Sequence, residues 1–135
     1  MPPRRPVLRL GATSSEGIAP TLYALLERGV ERRPELAREM DGLVDLHFAE
    51  EIAPVRIAFH GAEITVEDGA WDDADFRVRG RLPHIVHLTT SPKVGGMPNP
   101  ARADGRTALA RLRRGDIRLT GDRALGRKLL RLLEL

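Results

Sequence analysis

Apolar and polar residues along the chain fall into two rhythms, one helical and one of period two. After Pro20, the residues Leu22, Leu25, Leu26, Gly29 and Val30 recur at i, i+3, i+4, i+7 and i+8, with Glu27, Arg28, Glu31 and Arg32 elsewhere on the wheel. This spacing predicts an amphipathic helix. Pro34 ends it and suits the first turn of a second short helix over 35–40, closed by Asp41-Gly42. The middle of the chain alternates instead. Val44, Leu46 and Phe48 oppose Asp45 and His47; Val55, Ile57 and Phe59 oppose Arg56, Ala58 and His60; Ile64 and Val66 oppose Glu63, Thr65 and Glu67. Phe76 and Val78 against Arg77 and Arg79, and later Ile117 and Leu119 against Arg118 and Thr120, complete five strands. Clean alternation predicts a mostly antiparallel sheet covered on one face. The short links at Gly61-Ala62 and Asp68-Gly69-Ala70 predict a meander of the first four strands.

The remaining segments supply the cover. Leu82, Ile85, Val86 and Leu88 suit a helix with Pro83 in its first turn. The stretch SPKVGGMPNPARADG, residues 91–105, lacks periodicity and reads as a long loop, a functional lid or a disordered segment. Leu109 and Leu112 lie on a short helix ended by Gly115, and Asp122 caps a last helix whose stripe is Leu125, Leu129, Leu132 and Leu133. The predicted fold class is therefore α+β, a five-stranded mostly antiparallel sheet with helices on one face. Residues 1–15, rich in Pro, Arg and small polar residues, read as a flexible arm ahead of a single domain over 16–135.

Composition narrows the chemistry. With no cysteine among 135 residues, disulfides, thiolate metal sites and thiol catalysis are excluded. No apolar run approaches the ~18 residues of a membrane-spanning helix, and no secretory segment is evident, so a cytoplasmic location is expected. The net charge of +3 hides an asymmetry: residues 1–75 carry 8 basic and 15 acidic residues, a balance of −7, and residues 76–135 carry 14 and 4, a balance of +10. A basic half can face nucleic acid or anionic lipid. Nucleic acid is disfavoured, because no exposed aromatic platform accompanies the arginines and the last helix carries a leucine stripe suited to covering the sheet. An anionic membrane surface remains a candidate partner.

Catalytic motifs are missing. Ser14, Ser15 and Ser91 sit in apparent loops outside any G-x-S-x-G elbow, and no phosphate-binding glycine motif occurs. His84 and His87, at i and i+3, would share a helix face as some two-histidine metal sites require, yet no third ligand is marked nearby. Asp72, Asp73 and Asp75 lack the glycine and glutamate of a calcium loop and read as a turn. The expectation is a protein that is not an enzyme and uses neither cofactor nor metal.

The order of these elements carries a resemblance. The strands from Leu43 to DADFRVRG, the apolar helix, and then LARLRRGDIRLTGDRALGRKLLRLL resemble the sterol carrier protein type 2 domain, a lipid-binding and lipid-transfer family, over roughly residues 20–135. The most specific part runs from Gly115 to Leu133. The resemblance implies a five-stranded sheet with an apolar tunnel between sheet and helices, a lipid or other hydrophobic small molecule as partner, and no catalytic set. On that expectation the ligand lies between sheet residues Leu46, Phe48, Ile57, Phe59, Val66, Phe76 and Val78 and helix residues Leu82, Ile85, Val86, Leu109, Leu112, Leu125 and Leu129. Pockets for such ligands are mainly apolar. An acidic headgroup would meet Arg106, Arg111 or Arg127. The competing expectation is the same fold with a filled core, an accessory protein acting through an outward face of His47, Arg56, His60, Arg77, Arg79 and Arg118. The sequence does not fix the oligomeric state.

Overall fold

The computed structural model describes residues 6–11, 13 and 17–134. In chain order the elements are β1 (Val7–Leu10), α1 (Ala19–Arg32), α2 (Pro34–Glu39), β2 (Asp41–Phe48), β3 (Val55–His60), β4 (Glu63–Asp68) and β5 (Phe76–Gly80). There follow α3 (Leu82–Thr90), β6 (Lys93–Val94), β7 (Met97–Pro98), α4 (Ala103–Arg114), β8 (Ile117–Gly121) and α5 (Arg123–Leu133). The helical hairpin, the five alternating strands and the three later helices form where their spacing predicts.

The sheet has six strands, not five, in the order β1-β4-β3-β2-β5-β8. Its extra member, β1, lies inside the segment read as an arm. Val7–Leu10 runs parallel to β4, with the Val7 N–H donating to the Ala62 carbonyl at 2.8 Å and the Gly11 N–H to that of Val66 at 2.6 Å. Four residues between Pro6 and Gly11 are too short a run to signal a strand. They are recruited because the edge of β4 offers unpaired backbone groups and α1 covers them, Tyr23 donating to the Leu8 carbonyl. The rest of the expected arm, residues 1–5, 12, 14 and 15, falls outside the described residues.

The expected four-strand meander stops at three. β2, β3 and β4 pair antiparallel, but β5 lies parallel to β2 on its far side, in the register Val44↔Phe76 and Leu46↔Val78. The link read as a tight hairpin is a strap, residues 69–75, that returns across the outer face of β3 and β2. Its cause is Asp45 on β2. That carboxylate accepts the Trp71 N–H at 3.0 Å, while the indole N–H donates to the Val44 carbonyl at 3.1 Å and Arg56 stacks 4.5 Å from the indole centroid.

The helices cover the opposite face. α5 lies across the layer, its cap made by Asp122, whose carboxylate accepts the Ala124 and Leu125 N–H groups. Leu125, Leu129, Leu130, Leu132 and Leu133 are buried, each side chain contributing roughly 1.5–3 kcal/mol. α1 packs against α5 where both backbones meet at Gly29, since a Cβ there would collide with the Leu132 carbonyl. α3 packs on β5, and α4 on α3 and β8. Residues 91–105 are not irregular throughout. They hold the β6–β7 ribbon and the start of α4, the ribbon being tied to the C-terminal end of α5 by the Lys93 N–H donating to Glu134 at 2.9 Å. Gly96 and Gly105 let the backbones of Arg127 and Asn99 approach where a side chain would intrude.

Candidate functional site

An apolar cavity of about 190 Å³ opens between α1 and α3 above the end of β2. The helical period brings Ile18, Thr21, Leu22 and Leu25 to one wall, and Leu82, Ile85, Val86 and Thr89 to the other; Leu46 and Phe48 form the floor. Only two of these side chains are polar, and the Thr89 hydroxyl already donates to the Val86 carbonyl at 2.9 Å. Val86, 42% exposed, stands at the mouth. Glu50 fixes the start of α3, both carboxylate oxygens accepting the Leu82 N–H at 3.0 and 3.1 Å. That hydrogen bond holds the Glu50 carboxyl below its ordinary value against the opposing effect of desolvation, with help from Arg81 and His84.

Of the fourteen residues expected around a ligand, Leu46, Phe48, Leu82, Ile85 and Val86 line this cavity. Ile57, Phe59, Val66, Val78, Leu125 and Leu129 are buried in the core away from it, and Leu109 and Leu112 are partly buried on α4. Phe76 lies under a separate crevice with Arg127 at its rim. The cavity wall that sequence reasoning missed is α1. Leu22 and Leu25 were visible as the stripe of that helix, and Ile18 and Thr21 extend it by one turn. What was not visible was that this stripe faces α3 across a gap.

A larger concavity, about 560 Å³, lies where α1 turns into α2 beside the end of α5. Its walls mix Arg32, Arg33 and Arg131 with Glu35 and Glu39, so it offers no apolar chain a dry surface. Arg33 is already engaged, donating to the Arg131 carbonyl at 2.8 Å and lying 3.6 Å from Glu134.

The outer sheet face is largely occupied with itself. Asp45 is fully buried beneath the strap, and Arg77 grips it with a fork of 2.7 and 3.0 Å while also donating to the Trp71 carbonyl. Burial would raise the Asp45 carboxyl, but the Arg77 fork, the Trp71 N–H and His47, 3.3 Å away, outweigh it and hold it below its ordinary value. Arg56 pairs with Glu67 at 2.7 Å. His60, Arg79 and Arg118 remain exposed. His87 lies 3.5 Å from Asp104 on α4, and among the described residues no three His, Cys, Asp or Glu side chains are grouped to hold a metal ion. Lys93 donates to the Thr89 and Ser91 carbonyls at the end of α3; burial pushes its ammonium down to about 8, opposed by Glu134.

Neither a protein-family model nor a curated protein matches the chain at the level of sequence. Solved structures do. A UbiJ-SCP2 ubiquinone synthesis protein is 17% identical with a TM-score of 0.58, over 86% of this chain and 84% of that one. The sterol carrier protein domain 2 of Helicoverpa armigera is 17% identical with a TM-score of 0.57, over 91% and 92%. Palmitated SCP2L2 from Aedes aegypti is 17% identical with a TM-score of 0.53, over 87% and 94%. The chain thus has the fold of a sterol carrier protein 2 domain. Among the described residues no helix is long and apolar enough to cross a membrane.

Proposed function

We propose that this protein is a non-enzymatic carrier that holds a single-chain lipid, of the long-chain fatty acid kind, between α1 and α3. The observation that carries this reading is the α1–α3 cavity itself, walled by aliphatic side chains, one phenylalanine and two threonines, with an exposed valine at its mouth. Support comes from the likeness to a domain whose structure is described as palmitated. Each methylene buried there contributes roughly 0.8 kcal/mol, so an aliphatic chain binds without a charged anchor. At about 190 Å³ the cavity is smaller than the ~300–1,000 Å³ of pockets that enclose whole ligands. It accommodates part of a chain, and full loading requires α3 to move away from α1.

Val86→Trp tests this directly. The indole plugs the mouth, and because the valine is 42% exposed the fold tolerates the change. A fluorescent fatty acid should bind the wild-type protein and bind the variant at least about tenfold more weakly, a loss of ~1.4 kcal/mol, with an unchanged melting temperature. Equal affinity of the two proteins, or no binding by the wild type together with no lipid in an organic extract, would overturn the carrier reading.

A further inference from the structure

A second crevice, about 150 Å³, opens where α5, the β5–β8 pair and the β6–β7 ribbon meet. It shares no lining residue with the α1–α3 cavity. Its floor is apolar: Phe76 and Leu130 are buried, and Leu119 and Met97 are half-buried. The floor is accessible because α5 carries Gly126 at that point, where any Cβ would strike the Phe76 ring. Arg123 and Arg127, four residues apart and so on one helix face, stand at its rim.

Those two guanidiniums have no partner among the described residues. The acids of the surrounding elements have other partners: Asp75, next to Phe76, accepts the Leu43 N–H at 2.7 Å. Asp116 meets Arg114 at 3.4 Å, Asp104 meets His87, Asp122 accepts the N–H groups of the α5 cap, and Glu134 accepts from Lys93 and pairs with Arg33. The first turn of α5 holds no acidic side chain, and Arg123, its first residue, sits at the positive end of the helix dipole. That placement costs stability rather than contributing to it. The helix end itself is not the anion site, because Asp122 occupies it. The distinctive arrangement is a pair of unneutralised guanidiniums over an apolar floor.

We propose that this crevice is a second binding site, for a single-chain amphiphile with an anionic head. The methylenes next to the head rest on Phe76, Leu119 and Leu130, and Arg123 and Arg127 hold the carboxylate or phosphate with charge-assisted hydrogen bonds. At ~30 Å³ per water, the space equals about five waters, enough for a short stretch of chain with the remainder in solvent. A bare anion would leave the floor unused, and a neutral lipid would leave both cations unpaired. The inference stands apart from the carrier reading, since neither site contributes a residue to the other.

The test is an amide-shift titration of the isotopically labelled full chain with dodecanoate, dodecyl phosphate and dodecanol, each below its micelle concentration. Shifts at Met97, Leu119 and Gly126 are expected with the anions, at about tenfold higher affinity than with dodecanol. The tighter of the two anions identifies the head as carboxylate or phosphate. An R123Q/R127Q double variant, both positions being exposed, should keep a folded spectrum and lose about tenfold in affinity for either anion at these amides. Its shifts at Thr21 and Leu25 should be unchanged. Equal binding of dodecanol here, anion affinity unchanged in the double variant, or shifts confined to the α1–α3 cavity would overturn the proposal. The last result would leave the carrier reading standing. Shifts at this crevice alone would do the reverse.

Discussion

Gly29→Ala is expected to destabilise the protein by about 2–3 kcal/mol and to lower its melting temperature by roughly 10 °C. In an isolated helix the same change would stabilise, since alanine is better than glycine by about 1 kcal/mol in a helix interior. The opposite sign arises from packing. A Cβ at this position meets the Leu132 carbonyl of α5, and that group belongs to backbone and cannot swing aside. α1 must therefore shift off α5, loosening the contacts of Leu26 and Val30, both buried in the same layer. Gly95→Ala is the natural comparison, because nothing lies within 4 Å of a Cβ there and only the φ of +60° opposes it. That backbone strain should cost only about 1 kcal/mol. Thermal denaturation of the two variants side by side checks the ordering, and a Gly29→Ala protein within 1 kcal/mol of wild type would refute the close helix crossing.

Asp45→Asn should cost about 3 kcal/mol at pH 7, because it leaves the Arg77 guanidinium, three-quarters buried, facing a neutral group. The carboxylate also changes how stability responds to acid. Its folded pKa is depressed, so its contribution is complete above the unfolded value of ~3.9 and is lost as the pH falls through the lowered folded value. Wild type should therefore lose stability below about pH 4 more steeply than the asparagine variant, the two curves converging in strong acid. Urea denaturation at pH 7, 5 and 3 measures this. Parallel curves for the two proteins would show that the buried pair is not what holds the strap.

The places where sequence reasoning succeeded and failed have physical reasons. Local periodicity carried the helices and strands: the Leu125–Leu133 stripe with its Asp122 cap formed as spaced, and so did the alternation through Val55, Ile57 and Phe59. What depended on partners distant in sequence was not readable. β1 exists only because β4 exposes an edge to pair with, and four residues carry too little pattern to announce that. The strap looked like a hairpin because Asp68-Gly69-Ala70 is turn-forming, whereas its path is decided by an aspartate on β2 and an arginine on β5. The same limit governed the cavity. Alternation separates inward from outward residues and puts Leu46 and Phe48 on the apolar side, as helical spacing does for Ile85, but neither pattern distinguishes a residue against a void from one against a leucine. Ile57 and Phe59 share the pattern of Leu46 and lie in solid core.

The strap also divides the arginines into two electrical populations. Mobile ions screen exposed charges beyond roughly 10 Å at 0.1 M salt, but they do not enter the space where Asp45, fully buried, meets Arg77. Added salt therefore weakens the pull of Arg102, Arg113, Arg123 and Arg127, all exposed, on any anion in solution, and leaves the pair beneath Trp71 almost untouched. Ionic strength can thus tune what the helical side of this domain attracts without loosening the crossing that holds β5 against β2.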